Sequence, residues 1–217
     1  MNKFPAPHSL TLDLLRHGEP CGGERYRGRL DDPLSETGWQ QMHAAVAPQE
    51  PWTHIISSPL QRCLHFAQQL AQQRQLPLTI EPALQELRFG RWEGRTATEI
   101  LASPQAEALT AFWRDPWRNP PPEGETLKDF EQRVIPTLQN LIEHHPKGAH
   151  LLIVAHGGIL RLATAWALGM PLNNLSRLVI PYACRIRLVM DHIEGQTLPR
   201  LLYLRPNDTP PQPTCPT

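Results

Sequence analysis

The sequence predicts an α/β fold in which a mostly parallel sheet is covered by helices on both faces. Short apolar segments, typical of buried strands, alternate along the chain with longer segments of helical periodicity. Strand–helix alternation with apolar strands is typical of parallel sheets that are buried on both faces. In such sheets ligands bind at the carboxyl ends of the strands, so the residues that follow each strand are the candidates for a site.

Strands are expected in four places, at residues 9–15, 53–57, 76–81 and 149–155. The last of these contains the uninterrupted apolar run LLIVA and follows a glycine, which favours a fully buried central strand.

Between the second and third strands, the segment Ser58-Pro59-Leu60-Gln61 has the pattern of a helix start. Serine is a favoured N-cap, proline suits the first helical position, and glutamine three residues after the serine completes a capping box. The sequence therefore predicts a helix from this serine through Gln73.

A second helix is expected from Thr126 to about His144, and a third from Gly157 to a C-cap at Gly169. Apolar residues of the second helix recur at helical spacing, at Leu127, Phe130, Val134, Leu138 and Leu141.

The composition predicts one domain over residues 1–205, because 217 residues with 40% hydrophobic content can bury a substantial core. The remaining residues, 206–217, contain five prolines and are expected to form a disordered tail. No segment has the apolar length of a membrane span or a signal peptide, so we expect a cytoplasmic location.

The formal net charge is zero, with 21 basic and 21 acidic residues, so neither nucleic acid nor a membrane is an expected partner. Any affinity for anions must come from a local group of basic residues. Little surplus positive charge is expected for binding a second anionic group. The four cysteines lack metal-site or disulfide spacing, and we expect free thiols.

Two histidines follow strand-like runs and lead directly into glycine, in Arg16-His17-Gly18 and in His156-Gly157-Gly158. Arg62 falls in the first turn of the helix after the second strand, so three separate segments meet at one edge of the sheet. Arginine matches phosphate oxygens bidentately, and imidazole can act as a nucleophile. This set of residues indicates a site for a phosphoryl group.

After the third strand, the glycine-containing segment 84–94 supplies two carboxylates near the same edge, Glu86 and Glu93. Either could protonate a leaving oxygen. Glu24 and Glu125 are interpreted as solvated loop charges, although either could touch the substrate.

Five motifs in order resemble those of the histidine phosphatase family, also called the phosphoglycerate mutase-like family. They are LLRHGEP, the stretch from Gly28 to Gly38, SSPLQR, ELRFGRWEG and VAHGG, and they span residues 10 to about 165. The resemblance implies a three-layer α/β/α sandwich and a single metabolite-sized phosphorylated ligand.

By this resemblance His17 is the nucleophile that accepts phosphate and Glu86 is the proton donor. Arg16, Arg62 and His156 form the phosphate pocket, which Gly157 lines. No metal or other cofactor is expected, because arginines supply the positive charge. Family members such as the mutases place an asparagine a few residues after RHGE, whereas this chain has the segment 20–27, PCGGERYR. The group that replaces the asparagine is left open.

The substrate is predicted from finer features. The chain lacks the longer region that mutases carry, which favours a phosphatase. The stretches GRLDDPLS, WRDPW, PPEGE and LGMPLNNL resemble α-ribazole phosphatases, which remove phosphate from a cobalamin precursor. Trp113 and Trp117 could form a wall for its flat benzimidazole, although both could equally cover the core.

Alternatives left open are a broad-specificity phosphatase, a sugar bisphosphatase, a phosphoglycerate mutase, and a non-catalytic module that binds phosphorylated ligands. The oligomeric state is not predicted.

Overall fold

A computed structural model of the protein describes residues 9–194 and 196–206. Beyond Pro206, the tail predicted for residues 206–217 lies outside the described residues. The described strands are β1 (Leu10–Arg16), β2 (His54–Ser57), β3 (Leu78–Ile80), β4 (His150–Ala155), β5 (Arg185–Ile193) and β6 (Gln196–Arg205). The helices are α1 (Glu36–Ala45), α2 (Gln61–Arg74), α3 (Ala97–Leu101), α4 (Ala106–Arg114), α5 (Leu127–His144) and α6 (Gly157–Leu168).

The strands form one mixed sheet in the order β3-β2-β4-β1-β5-β6. The four strands predicted from the sequence are its parallel part, since β4 pairs in parallel with β1 and β2, and β2 with β3. Two further strands, β5 and β6, were not predicted from the sequence, and they extend the sheet by antiparallel pairing. Charged residues such as Arg185, Arg187 and Asp191 interrupt the apolar pattern of β5, so its signal is weaker.

Helices cover both faces of the sheet, and successive residues of β4 show this directly. Leu151 and Ile153 belong to a cluster that includes buried side chains of α5 and α6. Leu152 and Val154, which point the opposite way, belong to a second cluster with side chains of α1 and α2. The three-layer α/β/α sandwich that the resemblance implied is thus confirmed.

The start of α2 differs from the prediction. The helix begins at Gln61 with Leu60 as N-cap, and the N–H of Gln61 donates to Oδ1 of Asp31 at 2.7 Å. The hydroxyl of Ser58 instead lies 2.7 Å from Nε2 of His156. The predicted capping box is therefore wrong, because Ser58 is used in a contact between two strand ends.

The other predicted helix ends are confirmed. The Thr126 side chain accepts a hydrogen bond from the N–H of Asp129 at the start of α5, which ends at His144. Gly169 ends α6 in the left-handed conformation, with φ of 62°, which favours glycine.

A third, smaller cluster holds α3 and α4 beside the carboxyl ends of the strands. Trp92, Ile100 and Leu109 are fully buried in it, and Phe89 and Phe112 pack against them. The cluster places part of α4 next to the candidate site.

Within the part of the chain that the structure describes, no helix is both long and apolar enough to cross a membrane. Cys21, Cys63 and Cys184 are free thiols, as expected, and Cys215 lies outside the described residues.

Candidate active site

The register of two central strands brings the two sequence-predicted histidines together. In the parallel pair of β1 and β4, Arg16 is opposite Ala155. The residues that follow, His17 and His156, therefore leave the sheet side by side. Their rings are in an edge arrangement with centroids 5.2 Å apart.

A cavity of about 610 Å³ opens at this edge of the sheet. Most of the sequence-predicted site residues line it, namely Arg16, His17, Arg62, Glu86 and Gly157. These residues come from β1, from the loops after β1 and β3, and from the first turns of α2 and α6.

His17 is 5% exposed, and its Nδ1 lies 2.7 Å from the carbonyl oxygen of Gly18. Because a carbonyl can only accept, Nδ1 carries the proton, and in the neutral ring Nε2 keeps its lone pair. Burial lowers the pKa of His17 well below 6.5, and the charges of Arg62 and Arg16 lower it further. The ring is therefore neutral at pH 7 and has a free nitrogen for nucleophilic attack.

Arg16 and Arg62 present guanidinium groups whose bonds are incomplete. Arg62 is fully buried and donates to the carbonyl oxygens of Leu30 and Gly28 at 2.7 and 3.0 Å. Arg16 donates to the carbonyl of Ile180 at 2.5 Å. The Nε atoms of both arginines are buried without a hydrogen-bond partner among the described residues. An oxyanion in the cavity would supply acceptors and neutralise the charge.

His156 is fully buried and packs against His17, but it is not among the residues that line the cavity. Its Nε2 is bonded to the Ser58 hydroxyl, and the Cys63 sulfur lies 3.7 Å from each ring nitrogen. Burial, followed by the charges of Arg62 and the nearby His17, lowers its pKa well below 6.5. His156 is thus a neutral group that contacts the nucleophile's ring.

Glu86 reaches the N-terminus of α6. Its Oε2 accepts a hydrogen bond from the Gly158 N–H at 3.0 Å, and its Oε1 accepts one from the Leu87 N–H at 2.9 Å. The carboxyl group lines the cavity together with Gly157 and His17. This position is suitable for a general acid.

Glu93, the alternative acid, has a different environment. Its two carboxylate oxygens accept hydrogen bonds from the backbone N–H groups of Arg29, Leu30 and Phe89, at 3.0 to 3.1 Å. It is not among the residues that line the cavity. This geometry favours Glu86 as the acid and gives Glu93 a role in fixing the loop near Gly28.

A second, largely apolar cavity of about 330 Å³ adjoins the first. Glu86, Trp113 and Arg161 line both cavities. We call the second one the apolar annex; its aromatic wall consists of Tyr26, Phe89, Phe112, Trp113 and Phe130. It begins at the proposed acid, where a leaving group would lie.

The two tryptophans of the WRDPW segment are separated. Trp113 lies on the wall of the annex, and its indole N–H donates to the Tyr26 hydroxyl at 2.9 Å. Trp117 lies in a different surface depression with Asp115 and Arg118. The predicted joint role of both tryptophans is therefore wrong for Trp117, which does not line the annex.

The cavity is richer in cations than the neutral chain suggested. Arg25, Arg27 and Arg161 line it in addition to the two predicted arginines, against the carboxylates of Glu24 and Glu86. The expectation of little surplus positive charge is wrong, because the fold gathers arginines from distant segments. Composition gives no signal of this clustering.

Two further residues lie outside the sequence-predicted set. The Tyr182 ring contacts the Arg16 guanidinium at 4.2 Å and lies 5.7 Å from the His17 ring. Glu125, interpreted as a solvated charge, instead forms a two-point ion pair with Arg133 at 2.6 and 2.9 Å. Arg133 also donates to the carbonyls of Gln85 and Glu86, so this pair supports segment 84–94, which we call the acid loop.

Comparison with known families identifies one match that spans most of the chain. The family model described as histidine phosphatase superfamily (branch 1) matches residues 12–200.

Curated relatives include two kinds of phosphatase. A glucosyl-3-phosphoglycerate phosphatase of Mycolicibacterium vanbaalenii is 36% identical over 174 residues, covering 75% of this chain and 76% of that protein. An adenosylcobalamin/α-ribazole phosphatase of Salmonella typhimurium is 33% identical over 181 residues, covering 81% and 88%.

Solved structures include the same two kinds. A mycobacterial glucosyl-3-phosphoglycerate phosphatase has a TM-score of 0.80 at 28% identity, covering 91% of this chain and 99% of that one. The α-ribazole phosphatase from Shigella flexneri has a TM-score of 0.74 at 30% identity, covering 88% and 95%.

Proposed function

The chain belongs to the histidine phosphatase superfamily, and from that premise we propose that it is a phosphomonoesterase that forms a phosphohistidine at His17. The matched relatives named above are phosphatases that act on small phosphorylated compounds. The neutral ring of His17, with Nδ1–H bonded to a carbonyl and Nε2 free, supports its role as the nucleophile.

In the first step, Nε2 of His17 attacks phosphorus in line, so that a P–N bond forms as the P–O bond to the leaving group breaks. Arg16 and Arg62 stabilise the charge on the equatorial oxygens, assisted by the backbone N–H groups at the N-terminus of α6. The protonated carboxyl of Glu86 gives its proton to the departing alkoxide. The products of this step are the alcohol and the phosphoenzyme.

In the second step, the ionised Glu86 takes a proton from a water molecule as that water attacks phosphorus. The P–N bond breaks, inorganic phosphate leaves, and His17 returns to its neutral form. Because its pKa is lowered, His156 is neutral, and its contact with the His17 ring keeps the nucleophile oriented.

We propose α-ribazole 5′-phosphate as the substrate, and the apolar annex beside Glu86 is the observation that carries this proposal. A leaving group with a flat aromatic base can place its ring against Phe89, Phe112 and Trp113. The relative that is an adenosylcobalamin/α-ribazole phosphatase is similar over 81% of the chain.

A second candidate substrate is glucosyl-3-phosphoglycerate. The relative from Mycolicibacterium vanbaalenii is named as a phosphatase of this compound, and it is 36% identical to the chain. Arg25 and Arg161 also line the cavity, and they are available to bind the carboxylate that this compound carries next to its phosphate.

The test is a comparison of kcat/KM for α-ribazole 5′-phosphate, glucosyl-3-phosphoglycerate, 3-phosphoglycerate and p-nitrophenyl phosphate. We expect α-ribazole 5′-phosphate to exceed 3-phosphoglycerate by about tenfold or more, equivalent to about 1.4 kcal/mol in transition-state binding. A higher value for glucosyl-3-phosphoglycerate would select the second candidate, and equal values for all monoesters would indicate a broad-specificity phosphatase.

Fructose bisphosphate as a fifth substrate tests for a sugar bisphosphatase, and the same assay separates the other two alternatives. A mutase would return the phosphoryl group to a hydroxyl of the product instead of releasing inorganic phosphate. A non-catalytic module would bind phosphorylated compounds without turnover.

A further inference from the structure

Arg27 is a buried arginine on the wall of the catalytic cavity. It has no role in the mechanism above. It lies in the loop between β1 and α1 and is 5% exposed. It lines the cavity together with His17, Arg16 and Arg62. A buried guanidinium carries a large desolvation cost unless it is paired, so its bonds reveal its role.

Part of the guanidinium is bonded to protein. Its Nε donates to Oδ2 of Asp32 at 2.8 Å, and its Nη2 donates to the carbonyl oxygen of Cys21 at 2.6 Å. These two bonds fix the plane of the group before any ligand arrives. The remaining nitrogen, Nη1, has no bond of this kind among the described residues.

The backbone next to Arg27 is also fixed. The carboxylate of Glu93 accepts from the N–H groups of Arg29 and Leu30, and Arg62 donates to the Gly28 carbonyl. A Cβ at Gly28 would lie 2.2 Å from Oε1 of Glu93, so the close approach requires glycine. A side chain on such a loop can hold a ligand without ordering the loop first.

We infer that Arg27 binds the transferred phosphoryl group as a third arginine, through the edge of its guanidinium that faces the cavity. The inference rests on the proposed phosphatase function. It also answers the question of segment 20–27, where the family resemblance leads one to expect an asparagine. In this chain a fixed cation from the same segment replaces a neutral amide.

The electrostatics of His17 are consistent with this position. Burial is the largest cause of the lowered pKa of His17, followed by the charges of Arg62 and Arg16, and the charge of Arg27 adds to the effect. Arg27 is therefore within electrostatic range of the nucleophile, where the phosphoryl group must lie.

The variants that test this inference are Arg27→Met, Arg27→Lys and, as a matched control, Arg29→Met. Arg29 is in the same loop but exposed and does not line the cavity. Three quantities are measured: kcat/KM for p-nitrophenyl phosphate, the inhibition constant of inorganic phosphate, and the Kd of orthovanadate by calorimetry.

We expect Arg27→Met to weaken phosphate and vanadate binding by about 10- to 100-fold, as for a lost hydrogen bond between charged groups. Arg27→Lys should give an intermediate loss, and Arg29→Met should behave as the wild type. The pKa of His17 in the free enzyme, followed by NMR, should rise in Arg27→Met.

Unchanged phosphate and vanadate binding in a folded Arg27→Met would overturn the inference. If, in addition, Arg27→Met lowers kcat/KM only for substrates that carry a second anionic group, Arg27 binds the leaving group instead. If Arg27→Met does not fold, Arg27→Ala with added guanidinium is the alternative. Guanidinium, but not the same concentration of neutral urea, should then restore turnover, and equal effects of the two would overturn the inference.

A failure of the proposed phosphatase function would be recognised by a different result. In that case the wild type itself would neither hydrolyse p-nitrophenyl phosphate nor bind vanadate, whatever residue 27 is.

Discussion

Glu86 and Gly158 are matched in shape as well as in hydrogen bonding. The carboxylate Oε2 lies 3.0 Å from the Gly158 nitrogen, and a Cβ on Gly158 would lie 2.3 Å from Oε1 of the same carboxylate. The second glycine of the HGG motif therefore leaves the space that the proposed acid occupies. Any larger residue at this position must move the Glu86 carboxyl group.

Gly158→Ala is expected to slow the hydrolysis of alkyl phosphates more than that of p-nitrophenyl phosphate. An acid matters most when the departing oxygen is a poor leaving group, and the displaced Glu86 can no longer reach it. The measurement is kcat/KM for both ester types. The double variant Gly158→Ala/Glu86→Gln serves as the control and should be no slower than Glu86→Gln alone; additive losses would show that Gly158 acts elsewhere.

Substitutions of the two glutamates of the acid loop should have different effects. Glu86→Gln is expected to reduce alkyl phosphate turnover by about 100-fold or more, the usual contribution of a general acid. Glu93→Gln turns an amide NH₂ toward backbone N–H groups and should cost about 1–3 kcal/mol of stability. Kinetics and thermal unfolding of both variants check this, and a leaving-group effect in Glu93→Gln alone would exchange the two roles.

His17→Ala should abolish turnover and remove the phosphoenzyme, because covalent catalysis needs the free imidazole nitrogen. The wild type should give an acid-labile, base-stable phosphoprotein after a rapid quench. His192→Ala, at an exposed position of β5, is the matched control and should keep both properties. Substantial activity in His17→Ala would instead indicate direct attack by water.

The buried histidines should make the protein less stable in mild acid. Burial first, and then nearby arginines, lower the pKa of His17 and His156 well below 6.5 in the folded state. The unfolded chain therefore binds more protons below pH 6.5, and the free energy of unfolding must fall as pH decreases from there.

For two histidines the expected slope is up to about 2.7 kcal/mol per pH unit. Urea unfolding between pH 7.5 and 5 measures it, and His156→Gln should remove about half of the slope that the two residues produce. A free energy of unfolding that stays constant down to pH 5 would contradict the neutral state of both rings.

The sequence was sufficient to predict the part of the site that depends on strand ends. His17 and His156 could be paired because each follows an apolar run, and parallel strands end at a common edge. The register of Arg16 with Ala155 then determines their contact. Ser58 was assigned incorrectly because a serine before a proline has the same local pattern whether it caps a helix or bonds a distant histidine.

The loops could not be predicted in the same way. Arg27 lies in an irregular loop, where no periodic spacing reveals its position. Arg161 lies one helical turn after Gly157 in α6, so its helical spacing was a signal that could have placed it at the cavity. Glu93 and Glu86 are equivalent in sequence, and both accept hydrogen bonds from backbone N–H groups, but only the structure shows that Glu86 lines the cavity and Glu93 does not. The same holds for Trp113 and Trp117, which line different depressions.

These two tryptophans are a matched pair for testing what the annex binds, because they are similarly exposed but line different depressions. Trp113 lines the apolar annex and is 40% exposed, whereas Trp117 is 42% exposed and lies in another depression. Trp113→Leu should raise KM for α-ribazole 5′-phosphate by about tenfold, in line with the loss of aromatic contact area, and should leave p-nitrophenyl phosphate turnover nearly unchanged. Trp117→Leu should change neither value. If both variants raise KM equally, or if neither does, the annex does not bind the aromatic base, and the arginine-rich part of the cavity becomes the better candidate for selecting the substrate.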